Sequence, residues 1–113
     1  MTDEPLRDVR VTDTAAEKSG RYLTPEQLRT VLREGEGYVA RKSSPEHDGL
    51  YDDDRFILRG EFFDTPLDVV FVVEADHVVV VTQMSQHARS LRGRFYERVG
   101  TVAADAVAAV TGP

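Results

Sequence analysis

The chain has 113 residues, of which 20 are acidic and 14 basic, and it contains neither cysteine nor tryptophan. With 41% apolar residues, it is long enough for one hydrophobic core and too short for two. The composition excludes disulfide frameworks, thiol nucleophiles and zinc–thiolate sites, and the net charge of −6 argues against a protein that coats DNA. No apolar run could span a bilayer, and the acidic N-terminus lacks a signal-peptide pattern, so we expect a cytoplasmic protein that does not enter membranes.

Residue usage gives a hint about the source organism. Lysine occurs only at positions 18 and 42 against twelve arginines, and isoleucine only at 57 against sixteen valines. This bias is typical of a GC-rich genome, either of a salt-loving organism or of a mesophile. In a halophile, an acidic surface keeps the protein soluble and says little about its partners.

The N-terminal part of the chain divides into a polar arm and a first helix. Residues 1–21 are polar and aperiodic, and we interpret them as an arm, with a short helix near Thr14–Lys18 as the alternative. Residues 22–113 are expected to form the single domain. Its first helix starts with Thr24 as N-cap, Pro25 at the first helical position and Gln27 closing a capping box. Leu23 and Leu28 are spaced as a hydrophobic staple, and Gly35 is expected to end the helix in the left-handed conformation.

The middle of the chain changes to a period of two, which predicts strands. In residues 54–63, Phe56, Leu58 and Phe62 alternate with Arg55, Arg59 and Glu61. Asp64-Thr65-Pro66 reads as a turn, and Ala75-Asp76 as the tight turn of a hairpin whose strands are apolar on both faces. The predicted strands are 37–43, 54–63, 67–74 and 77–82, with a loop over 44–53.

The last segment has helical spacing. From Ala88, apolar residues recur every three or four positions as far as Val110, and Ser85 is a plausible cap. Gly93 and Gly100 weaken this helix by about 1 kcal/mol each, which predicts a bend near Gly100. The expected fold is therefore α+β, a single domain with a helix, a four-stranded antiparallel β-meander and a long C-terminal helix.

The histidines and the acidic loop are candidate functional sites. His47 lies among the acids of residues 46–54, whose oxygens suit Ca²⁺ or Mg²⁺, but the spacing is not that of an EF-hand, and a solvated loop is the favoured interpretation. His77 marks the hairpin edge. His87, next to several arginines, is the histidine that suits chemistry best. We expect no metal and no cofactor.

A basic cluster precedes the C-terminus. Arg89, Arg92, Arg94 and Arg98 surround Tyr96, and such a patch fits a phosphate backbone or an acidic partner. The alternative is that these arginines neutralise acids elsewhere on the same fold. Nucleophile, phosphate-loop and dinucleotide motifs are absent from the sequence, which argues against an ordinary hydrolase, kinase or dehydrogenase.

The order of elements resembles the RelE/BrnT-like toxin superfamily. The resemblance rests on the helix from Thr24 to Gly35 and on the strands 55–61, 69–74 and 78–82, about half the chain, and its motifs are generic. It implies metal-independent RNA cleavage, in which Arg59 matches the strand arginine and His87, Tyr96 and Arg98 match the C-terminal set. Two departures are the acidic charge and Thr14 where relatives often carry a histidine.

Our first functional hypothesis is a non-enzymatic domain that binds a protein partner or a second copy of itself. The alternative is the RNA-cleaving toxin, the only case in which RNA is a partner. The apolar C-terminal segment favours a homodimer that buries Val102, Ala106 and Val110. The competing interpretation is a monomer whose C-terminal tail covers the sheet.

Overall fold

Six strands form one mixed sheet in the computed structural model, which describes residues 5–18, 20, 22–42, 55–85 and 96–111. The strands are β1 (Val9–Val11), β2 (Tyr38–Lys42), β3 (Arg55–Phe62), β4 (Thr65–Val73), β5 (Val78–Ser85) and β6 (Tyr96–Gly100), and the helices are α1 (Asp13–Glu17), α2 (Pro25–Glu34) and α3 (Ala103–Thr111). The strand order is β1-β5-β4-β3-β2-β6. The α+β class is therefore confirmed.

The predicted four-stranded antiparallel meander does not describe this sheet. Neighbouring strands from β2 to β5 pair antiparallel, but β1 adds to β5 in parallel and β6 adds to β2. Neither outer strand was predicted, because β1 has only three residues and β6 overlaps a stretch with helical spacing. Both are held by partners distant in the sequence, which a local pattern does not reveal.

Helix α2 forms where its capping residues predicted it. The Thr24 hydroxyl accepts a hydrogen bond from the Gln27 amide, and the Gln27 side chain accepts one from the Thr24 amide. The prediction for Gly35 is wrong, since its φ of −73° and ψ of 145° are extended rather than left-handed. A glycine is suited to this position because a Cβ would press against the carbonyl of Val31 and the ring of Phe62.

The long C-terminal helix is also wrong in its extent. Residues 96–100 are a strand, and α3 begins only at Ala103. Ser85 caps no helix, because it is the last residue of β5. The turn predicted at Asp64-Thr65-Pro66 lies one position earlier, at Phe63 and Asp64. The predicted hairpin about Ala75-Asp76 is present, with the Glu74 amide donating to the His77 carbonyl at 2.8 Å.

Residues of the predicted polar arm are part of the fold. The short-helix alternative is the one observed, in α1, and Thr12 caps it while its hydroxyl donates to the Val81 carbonyl at 2.6 Å. Two arginines of α2 hold the segment from the other side. Arg29 donates to the Val9 carbonyl at 2.9 Å, and Arg33 donates to the carbonyls of Leu6 and Arg7.

The main core lies between the three helices and one face of the sheet. At its centre the rings of Phe56 and Phe71, cross-strand partners, stack with their centroids 5.6 Å apart. A second, smaller cluster on the opposite face contains Ala40, Ile57 and Val70. The predicted hairpin with apolar residues on both faces is thus observed. None of the described helices is long and apolar enough to cross a membrane.

Candidate functional site: an acidic pocket beside an exposed phenylalanine

Arg59, the strand arginine of the toxin hypothesis, is engaged in an ion pair. Its Nε and Nη2 donate to the two carboxylate oxygens of Asp68 at 2.7 and 2.8 Å. The partners lie opposite each other on β3 and β4, and only 20% of the Arg59 and 7% of the Asp68 side chain is exposed. A bidentate pair this well enclosed fixes the guanidinium and neutralises its charge.

Arg98 lies on the same face of the sheet as Arg59. Its guanidinium carbon is 5.2 Å from the centroid of the Tyr38 ring, and Tyr38 is the cross-strand partner of Arg59. Arg59 and Arg98 therefore share one face. Tyr96 belongs to β6, where it pairs with Lys42, and His87 lies outside the described residues.

Several other predicted site residues also fall outside the described part of the chain. These are the basic residues Arg89, Arg92 and Arg94 and the acidic loop with His47. Within the described ranges, no group of three or more acidic or histidine side chains is arranged to hold a metal ion.

The residues proposed for a dimer interface differ in exposure. Ala106 is fully buried in the main core, together with Ala103. Val102 is half-buried, whereas Val110 is 49% exposed. The structure thus places Ala106 inside the domain, where it contacts residues of its own chain, and leaves Val110 on the surface.

A shallow pocket lies where the end of α2 meets the end of β3. Its volume is about 250 Å³, and its apolar surface comes from Val31, Phe62 and Phe63. Val31 and Phe62 are buried, whereas Phe63 is 53% exposed. The Phe62 ring lies against Gly35 and Gly60, where a Cβ would overlap or crowd it. The two glycines thus leave room for the Phe62 ring, which is part of the apolar lining of the pocket.

Phe63 stands on a strained turn. It and Asp64 are the central residues between the paired Phe62 and Thr65, and their φ angles are 51° and 63°. Positive φ at both positions is the pattern of a type I′ hairpin turn, which favours Asn-Gly. A bulky phenylalanine rarely adopts this conformation, and strain of this kind is concentrated at functional sites.

Three carboxylates surround the pocket. Glu34, Glu36 and Glu61 line it and are exposed. Among the described residues, none of the three side-chain carboxylates makes a hydrogen bond or an ion pair, and they do not form a metal-binding group. Their charges are consequently available to a ligand. An apolar base with a negative rim fits a side chain that has an aliphatic stem and a cationic end.

The charged residues at the opposite end of the sheet are satisfied by one another. Arg10 donates to Asp8 at 2.9 Å, and this hydrogen bond lowers the pKa of Asp8. His77 Nδ1 lies 2.6 Å from Asp76 Oδ1, and this contact lowers the pKa of Asp76. His77 therefore lies at the hairpin turn, in agreement with its interpretation as an edge residue.

Sequence reasoning missed the pocket. The sequence predicts Phe62 on the apolar face of the strand 54–63 and Phe63 as the end of that strand, because the predicted turn begins one residue too late, at Asp64. The available signal was a phenylalanine followed by aspartate between two strands, where the hairpin would favour asparagine and glycine. The carboxylates converge only through the packing of α2 against the sheet, which the sequence does not display.

Comparison with known proteins found no matching family model, no similar curated protein and no similar solved structure.

Proposed function

We propose that this protein acts non-enzymatically as a binding domain that associates with a protein partner or with a second copy of itself. The observation that carries the proposal is Phe63, an exposed aromatic on a strained turn beside an apolar pocket. Exposed aromatic residues next to pockets are typical anchors of protein interfaces. The unpaired rim carboxylates would give such an interface its selectivity.

Site-specific photocrosslinking in the native cells tests this function. Benzoylphenylalanine replaces Phe63, and a control variant carries it at Glu74, an exposed residue at the other end of β4. The nine residues of β4 separate the two positions by roughly 30 Å. We expect one discrete adduct from position 63 and none from position 74, identified by mass spectrometry.

The identified partner must then bind in purified form. Binding should be lost with Phe63→Ala and retained with Glu74→Ala. Equal adducts at both positions, or no adduct at either, would reject a binding function centred on this pocket. An adduct with the mass of two chains would assign the function to self-association.

The second candidate function is metal-independent RNA cleavage by a RelE/BrnT-like toxin. It is supported by the shared face of Arg59 and Arg98, with the Tyr38 ring next to Arg98. It is disfavoured by the ion pair between the Asp68 carboxylate and the Arg59 guanidinium, because this pair engages the charge that would have to contact RNA.

Expression in a bacterial host tests the toxin hypothesis. If it is right, the wild type arrests growth, and Arg59→Ala and His87→Ala each abolish the arrest. Arg10→Ala, which removes an exposed arginine from β1, is the control and should remain toxic. A harmless wild type, or full toxicity in both test variants, would exclude this function.

A further inference from the structure

We infer that the pocket formed by Val31, Phe62, Phe63 and the three glutamates binds an arginine side chain of a partner protein. The inference rests on the proposed binding function and specifies the chemistry of the partner. It starts from two observations at one place, an apolar base and a rim of carboxylates without partners among the described residues.

The charge of the rim selects a cation. Glu34 and Glu36 come from the end of α2 and the residues after it, and Glu61 comes from β3. Three like charges around one cavity repel one another, and a cation between them relieves the repulsion. The protein carries a net charge of −6, which also attracts a basic partner from a distance.

The apolar base and Phe63 favour arginine over lysine. Both side chains have aliphatic stems that can pack against the exposed ring of Phe63. A guanidinium, however, is planar, stacks on aromatic rings and forms paired hydrogen bonds to carboxylates. The ammonium of lysine is a compact, strongly hydrated charge, and the phenylalanine ring would contribute less to its binding.

The size of the cavity sets the scale of the interaction. A volume of about 250 Å³ is below the usual range for drug-sized ligands, so it accommodates one side chain rather than a whole small molecule. The arginine is therefore an anchor within a larger protein contact. As an isolated probe we expect a short arginine peptide to bind weakly, with a Kd on the order of 0.1–1 mM at low salt.

The test is a titration of ¹⁵N-labelled protein with the capped peptide Gly-Leu-Arg-Leu-Gly, followed by NMR. Three matched peptides carry lysine, citrulline or glutamate in place of arginine. We expect amide shifts around Glu36, Glu61 and Phe63, the tightest binding for arginine, and about tenfold weaker binding at high ionic strength.

Variants separate the roles of charge and ring. The triple change Glu34→Gln, Glu36→Gln, Glu61→Gln should weaken arginine-peptide binding by about tenfold, and Phe63→Ala should reduce the preference for arginine over lysine. Glu74→Gln, an exposed glutamate far from the pocket, is the control and should bind as the wild type does. Thermal unfolding of each variant shows that it is folded.

The outcomes that contradict arginine binding differ from those that contradict the proposed binding function. If citrulline or glutamate peptides bind as well as the arginine peptide, or the shifts map elsewhere, the inference is wrong. If position 63 crosslinks a partner but no peptide binds the pocket, the binding function stands and the arginine chemistry does not. A crosslink that joins two copies of the chain would replace the partner arginine with a second copy and overturn the inference.

Discussion

Gln83 is a polar side chain in the centre of the main core. It is fully buried, and its amide satisfies three backbone groups of the N-terminal region. Its Oε1 accepts from the Leu23 amide at 2.9 Å, and its Nε2 donates to the carbonyls of Ala15 and Leu23 at 3.0 and 2.7 Å. One side chain therefore links both α1 and Leu23, the residue before the N-cap of α2, to β5.

We predict that Gln83→Leu lowers the free energy of unfolding by about 2–4 kcal/mol, because it leaves buried backbone groups without partners. Urea denaturation measures the change. Gln27→Leu is the control, since it removes a single hydrogen bond to the amide of exposed Thr24 and should cost about 1 kcal/mol. An equal or smaller loss for Gln83→Leu would show that the buried amide does not hold the segment.

The Phe63–Asp64 turn provides a second prediction at the residue scale. Phe63→Asn with Asp64→Gly supplies residues that tolerate positive φ, so we expect a gain of about 1 kcal/mol in unfolding free energy. The same change removes the exposed ring, so the photocrosslinked partner should no longer bind. Phe63→Ala keeps a non-glycine residue at positive φ. It should lose partner binding, and its free energy of unfolding should rise by less than that of the double variant. A double variant that is no more stable than wild type would show that the turn stores no strain.

At the scale of the elements, local chemistry accounts for what could be predicted. Helix α2 was recognised because Thr24, Pro25 and Gln27 act within one turn of the chain. The burial of Gln83 could not be recognised, because it depends on a bulge. Val70 pairs with Thr82 and Phe71 with Val80, so Val81 has no opposite residue and the alternation shifts by one. Strict alternation from Val78 and Val80 would have turned Thr82, not Gln83, towards the core.

The end of the chain shows why helical spacing alone predicted the wrong secondary structure for residues 96–100. Residues 96–100 fit an apolar stripe, yet they pair with β2, with Gly100 opposite Val39. The carboxylate of Asp105 then accepts hydrogen bonds from the amides of Thr101 at 2.7 Å and Val102 at 3.2 Å. These bonds fix the start of α3 after the strand. A Cβ at Gly100 would overlap the Asp105 side chain. Glycine at this position therefore leaves room for the carboxylate that caps the start of α3.

These hydrogen bonds predict a pH dependence for the start of α3. They lower the pKa of Asp105 below its ordinary value of 3.8, the Thr101 amide having the larger effect. A carboxyl with a lowered folded-state pKa stabilises the fold above its unfolded-state pKa, and this contribution disappears as the pH falls through the folded-state value. Asp105→Asn should therefore be less stable than wild type at neutral pH, with a difference that vanishes in acid. Urea midpoints across the pH range measure this, and a difference independent of pH would contradict it.

At the scale of the whole molecule, α2 and α3 each turn one side to the core and leave other residues on the described surface. Helix α2 faces the core with Leu28, Val31 and Leu32 while its C-terminal end contributes to the acidic pocket. Helix α3 faces the core with Ala103 and Ala106 and presents Ala104, Ala108, Ala109 and Val110 to solvent. Among the described residues, Phe63 and Val110 are the two exposed large hydrophobic side chains, and they belong to different elements.

We predict a homodimer formed through the exposed side of α3. Its alanines permit close helix–helix approach, and a helix with few polar residues gains from a two-fold contact of this kind. Light scattering after size-exclusion chromatography should give twice the chain mass of 12.6 kDa at micromolar concentration. Val110→Asp should yield a folded monomer, because Val110 is already half exposed, whereas Phe63→Asp, the matched change in the pocket, should leave the dimer intact. The mass of one chain for the wild type at high salt would reject the dimer and favour the monomer, in which α3 packs only against elements of its own chain, the sheet and α2.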